Sequence, residues 1–255
     1  MVLGPTERFA ELVTASGPAL PLDDAVLLVA AHAIDGLDVE HERLRLDVLA
    51  SGVRARTVEG LREHLVDRLG FAGDLEDYHD PRNSLLPAVL DRRRGIPLTL
   101  AITAMEVGRR CDVHVEGIGM PGHFLVRAGG EPHRYLDLFS GGVELDERGC
   151  RALFERLHPG EAWDPSYLTP TGPVAIVTRM LANLANSYRR NGDRRSLQWA
   201  LDLRHRLPGA SERDHRELAL LLGAAGRYAE AATLLEATGL EGDADAAARL
   251  RARLN

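Results

Sequence analysis

Met120-Pro121-Gly122-His123-Phe124-Leu125-Val126-Arg127, followed by Ala128-Gly129-Gly130-Glu131-Pro132 and by His133-Arg134-Tyr135-Leu136-Asp137-Leu138, is the stretch on which the fold turns. Two strand-like runs, residues 123–127 and 133–138, flank five turn-forming residues, so the spacing predicts a β-hairpin. A symmetric loop pairs Arg127 with His133, and counting back along both strands sets His123 opposite Asp137, with Cβ atoms roughly 5 Å apart. In that register Phe124, Val126, Leu136 and Leu138 share one apolar face, while His123 and Asp137 lie on the other. A carboxylate beside an imidazole orients one ring nitrogen and stabilises the protonated ring, as a general base serving a nucleophile requires. The Pro-Gly turn before His123 is a common way to present a side chain from a rigid frame.

Upstream of the hairpin, Val113 and Val115 begin the two-residue period, and before them the pattern is helical. Pro97 suits a first helical position, Leu98, Ala101, Ile102 and Met105 follow the helical spacing, and Arg109 and Arg110 sit at the far end, where cations suit the dipole. A nucleophile belongs at the N-terminus of such a helix, where the dipole lowers a thiol's pKa. Here the first turn holds Pro97 and Thr99, and Thr99 carries the only hydroxyl in it. Cys111 lies past the opposite end and Cys150 follows Gly149 in a predicted helix start; both read as inert thiols. A shorter helix is expected before this one, capped by Ser84, carrying Leu85, Leu86, Val89 and Leu90, with Pro87 in its first turn and its end at Gly95. Arg92-Arg93-Arg94 reads as a solvated face.

Residues 1–80 read as helical, with apolar positions Val26, Leu27, Val29, Ala30 and Ala33, then Leu44, Leu46, Val48 and Leu49, then Leu61, Leu65, Val66 and Leu69. The acidic run at residues 74–81 reads as a solvated surface connection. Residues 174–255 return to helices and hold an internal echo: Tyr188-x3-Gly192 and Leu222-x3-Gly226 place their glycines 34 residues apart, the tetratricopeptide period. Two such units fall short of a free-standing solenoid, so this tail is expected to buttress the preceding core. The expected organisation is a helical segment over 1–80, a core over 81–165 and a helical tail over 174–255.

Composition narrows the function. The 255 residues carry 31 basic and 38 acidic side chains, a formal charge of −7, which argues against a general nucleic-acid binder. Every basic side chain is Arg, so no side-chain amine is present to form a Schiff base. Two cysteines are too few for a disulfide framework, and the start of the chain lacks a secretory pattern, so a cytoplasmic setting is expected. The strongly apolar run at 25–31 is far short of the roughly 20 residues of a membrane helix. No metal or cofactor is expected, because the histidines lack paired spacing, Glu40-His41-Glu42 fans around a helix, and Gly117-Ile118-Gly119 lacks the rest of a dinucleotide fingerprint.

Three ordered blocks resemble the SirB-like bacterial proteins of the transglutaminase-like superfamily: Asp80-Pro81-Arg82-Asn83-Ser84-Leu85-Leu86, then residues 90–101 with Arg94-Gly95-Ile96-Pro97-Leu98-Thr99, then Pro121-Gly122-His123-Phe124-Leu125-Val126-Arg127. The resemblance implies an α+β fold, a papain-like helix packed on an antiparallel sheet, between a helical N-terminal segment and a tetratricopeptide-like tail. It implies a triad in which His123 is the histidine and Asp137 the aspartate, and it puts Pro97 at the position of the cysteine. Thr99, two residues on, is swung roughly 200° around the helix from that position. The expectation is a non-catalytic member that binds a peptide or protein segment in the inherited cleft. The alternative is a cysteine-independent hydrolase or acyl-transfer enzyme of amide bonds, using His123 and Asp137 with Thr99 or water as nucleophile.

Overall fold

Helix gives way to sheet after residue 112, and the computed structural model, which describes residues 3–130 and 132–254, shows why that boundary organises the molecule. The helix Pro97–Arg110 is buried on nearly every side by Leu98, Leu100, Ala101, Ile102, Ala104 and Val107, as expected of a helix at the centre of a domain. Its buried Thr103 satisfies its hydroxyl locally by donating to the Thr99 carbonyl at 2.8 Å. Around it, in chain order, stand α1 (Pro5–Ser16), α2 (Leu22–Ala30), α3 (Val39–Ser51), α4 (Val58–Arg62), which runs on into a π-helical turn at Glu63–Arg68, and α5 (Leu86–Arg92), so the central helix is α6. After the sheet come α7 (Glu147–Leu157), α8 (Pro173–Asn191), α9 (Arg194–His205), α10 (Glu212–Ala224), α11 (Tyr228–Thr238) and α12 (Asp243–Arg251). Among the described residues no helix is long and apolar enough to cross a membrane.

Two short strands, β1 (Ala72–Gly73) and β2 (Arg94–Gly95), pair in parallel, and β3 (Val115–Ile118), β4 (Leu125–Ala128), β5 (Tyr135–Asp137) and β6 (Val143–Leu145) form an antiparallel sheet in that order. One face of the sheet carries Phe124, Val126, Leu136 and Leu138 into the main core with α6. The opposite face is covered as well: Leu125 and Tyr135 pack with Ile118 and Met120 against Cys150, Leu153 and Phe154 of α7.

The hairpin register differs from the sequence expectation by one residue on each strand. Arg127 pairs with Tyr135 and Val126 with Leu136, and the Ala128 amide donates to the Arg134 carbonyl at 2.9 Å, so the loop spans residues 129–133. Glu131 of the predicted turn lies outside the described residues. The pairing sum moves by two, from 260 to 262, which keeps every side chain on its predicted face, whereas a shift of one would have flipped one strand's apolar residues to the face opposite the other's.

Ser84 does not cap α5; it is buried in a 3-10 turn, Pro81–Ser84, and Leu85 stands at the cap. That helix stops at Arg92 rather than Gly95, because Arg93 turns left-handed (φ 55°) and the carbonyls of Arg93 and Gly95 accept from Ala72 and Asp74 across the β1–β2 ladder. The acidic run is anchored: Asp74 accepts from the amides of Glu76 and Asp77 and from Arg92 Nη2 at 2.6 Å, so Arg92 is tied inward while Arg93 and Arg94 remain exposed. On α3 the inward face is Val39, Glu42, Leu46 and Ala50, with Glu42 paired to Arg45, which leaves Leu44 and Val48 on the solvent side, 60% and 70% exposed.

Candidate functional site

The Pro121-Gly122 turn delivers His123 two residues ahead of β4. Gly122 holds φ +70°, a conformation that a Cβ penalises, and that Cβ would also stand 2.6 Å from His158 Nε2. The turn closes by a bond from the His123 amide to the Met120 carbonyl at 3.1 Å. A second clamp comes from α8: Arg179 donates to the Met120 carbonyl at 3.1 Å and to the His123 carbonyl at 2.7 Å, with its guanidinium 5.4 Å from the centre of the Phe124 ring.

Asp137 ends β5. In the observed register it lies diagonal to His123, a separation that long side chains span, and His123 Nε2 stands 2.9 Å from Asp137 Oδ1. The approach departs from the axis of the ring N–H, so the contact is an electrostatic pairing more than a linear hydrogen bond. Asp137 also accepts from the Ser140 amide at 3.1 Å and from the Ser140 hydroxyl at 2.8 Å. Burial pushes this carboxyl upward, and the pairing with His123 together with the bonds from Ser140 outweighs burial, so Asp137 is held below the usual carboxylate range. The pair is largely covered, with His123 7% and Asp137 3% exposed.

Phe139 sits edge-on to His123 at 6.2 Å and to Tyr78 at 5.8 Å. Gly73 permits this packing, since a Cβ there would stand 2.5 Å from the Phe139 ring. Exposed apolar groups border the pair through Tyr78, 44% exposed and packed on Phe139, and Val143, which pairs with Asp137 across β5 and β6.

Pro97 opens α6 and carries no nucleophilic atom. Thr99 is fully buried and its hydroxyl donates to the Asn83 carbonyl, so the 80–86 motif and the helix start are tied together through this side chain. Cys111 is buried at the far end of α6, and burial pushes its thiol up. Burial, with Asp146 and Asp137 nearby, pushes the Cys150 thiol up to about 12, so it stays protonated near neutrality. Among the described residues no cluster of His, Cys, Asp and Glu is arranged to hold a metal ion.

Sequence reasoning singled out His123, Asp137, Thr99 and Pro97 and missed Ser140, Phe139, Tyr78, Arg179 and His158. Ser140 follows Asp137 by three residues, an interval at which a carboxylate commonly accepts from a turn, so its part was open to detection. Arg179 lies 56 residues from His123 and left no local signal.

A family model described as the transglutaminase-like superfamily matches residues 31–182, more than half of the chain. A UPF0162 protein of Xylella fastidiosa is 34% identical over 194 residues, covering 69% of this chain and 68% of its own length. One from Pseudomonas aeruginosa is 31% identical over 201 residues, covering 75% and 73%. Human F-box only protein 21 is 24% identical over 194 residues, which span 70% of this chain and 30% of that protein.

Proposed function

Because this chain belongs to the transglutaminase-like superfamily, we propose that it is a non-catalytic, SirB-like member that binds a peptide or protein segment in the inherited active-site cleft at His123 and Asp137. The observation that carries this reading is the missing nucleophile. Pro97 heads the helix, the Thr99 hydroxyl is committed to the Asn83 carbonyl, and both cysteines are buried with raised pKa. Removing one member of a unit that acts together removes most of its rate. The exposed Tyr78, packed on Phe139, and Val143, opposite Asp137, support a binding surface. The recurrence of a related segment as 30% of a larger human protein supports an interaction module.

The tail over 174–255 is read as tetratricopeptide-like and as a buttress of the core over 81–165. Gly192 and Gly226 both adopt positive φ just past helix ends, and Ala200 and Ala231 are fully buried, which supports equivalent places in two helical units. The free, buried cysteines suit a reducing cytoplasm.

Panning a random twelve-residue peptide library against the full chain tests the binding reading. Enriched peptides should bind wild type and lose about tenfold or more in affinity on Tyr78→Ala, an exposed aromatic whose truncation leaves the core intact. Enrichment of no peptide, or of peptides indifferent to both Tyr78→Ala and His123→Ala, contradicts it.

A further inference from the structure

Partly buried arginines among the described residues come with carboxylates. Arg110 is paired with Asp23 and Glu106, Arg92 with Asp74, Arg127 with Glu116, and Arg189 and Arg204 with Asp214. Arg179 breaks the rule: its guanidinium meets two neutral carbonyls and the face of Phe124, and among the described residues no carboxylate pairs with it. Burial lowers its pKa, with only the Tyr78 hydroxyl group acting in the other direction. A charge partly removed from water without a counter-ion is costly to keep and, where it persists, commonly serves a ligand.

Arg179 lines a cavity of about 570 Å³ where α8 meets the segment before α2 and the loop after α9. The apolar wall is Pro18, Val174, Ala182 and Pro208, and Arg204 also lines the cavity. The charge of Arg204 is balanced by Asp214 at 2.6 Å, yet its Nε is buried without a hydrogen-bond partner. The first turn of α8 borders the same cavity through Val174 and Ala175, and no side chain caps it.

We propose that this cavity binds a carboxylate carried on an apolar group, as at the C-terminus of a peptide ending in an aliphatic residue or on a free aliphatic acid. One unbalanced cation calls for one negative charge, and the predominantly apolar wall favours an aliphatic body over a phosphate ester, whose double charge demands more donors. The cavity is separate from the surface over His123, and the proposal stands whether or not that surface holds a peptide. Because Arg179 grips the backbone of the His123 turn, an anion here also bears on the position of that turn.

Titration calorimetry on the full chain tests it with three probes: acetyl-Ala-Ala-Leu with a free carboxylate, the same peptide amidated, and octanoate. The free-carboxylate peptide should bind, and the amide should bind about tenfold more weakly or less. Ala175→Asp places a carboxylate one turn before Arg179 at an exposed first-turn position where an acid suits the helix, so it should abolish binding without lowering the melting temperature. Arg179→Met should weaken binding to the same degree. Octanoate binding more tightly than the peptide, with the same response to Ala175→Asp, assigns the ligand to free acids. Binding of neither carboxylate at millimolar concentration, or binding indifferent to Ala175→Asp, overturns the proposal.

Discussion

His123 and Asp137 lie 14 positions apart in the chain and 2.9 Å apart in space, and Asp137 is the anion of the pair. Its folded pKa is depressed, so the stability it contributes is present above the ordinary carboxylate value of about 3.9 and is lost as pH falls through the lower folded value. Asp137→Asn should therefore lower stability by about 1–3 kcal/mol at pH 7, with the gap to wild type closing below pH ~4 in urea melts recorded across pH. A gap that stays constant with pH contradicts an ionised Asp137. The thiols give a second expectation at this scale. With Cys150 pushed up to about 12 and Cys111 buried, a disulfide reagent at pH 8 should label neither in the native protein and both after denaturation.

At the scale of elements, the site depends on how a turn and a loop are held. Gly122→Ala should cost about 2 kcal/mol from the left-handed backbone alone, more if His158 cannot move aside, read as a fall in melting temperature. Arg92→Met leaves the buried Asp74 without its cation and should cost about 3 kcal/mol, loosening the loop that packs Tyr78 on Phe139. These elements also mark the limit of what the sequence discloses. The hairpin and α6 were legible because a period of two and a period of 3.6 each run long enough to be recognised. The register was legible only in parity, since the alternating apolar residues specify the face but not which of two adjacent placements the Gly-rich loop adopts. The role of Asp74 was illegible, because a run of acidic residues looks solvated until Arg92 and the amides of residues 76 and 77 are placed against it. The outward turn of Leu44 and Val48 was hidden by Glu42, a charge on the inner face of α3.

Across the whole molecule, α8 belongs to the core as much as to the tail. Ile176, Val177, Met180, Leu181 and Leu184 are fully buried, and Arg179 reaches the His123 turn from it. A chain ending at residue 172 should fail to fold, because it strips a buried helix from the centre, whereas one ending at residue 207, which keeps α8 and α9, should retain near-ultraviolet circular dichroism and a cooperative melt. Loss of a cooperative melt in the longer truncation contradicts this division of labour.

The proposal that a triad-like pair stands here without a nucleophile makes turnover the decisive property. The full chain, incubated with a library of peptide, isopeptide and glutamine-amide substrates and followed by mass spectrometry, should release and transfer nothing above buffer, with His123→Ala giving the same trace. Turnover that falls to background on His123→Ala contradicts the account and makes His123 and Asp137 the centre of an enzyme.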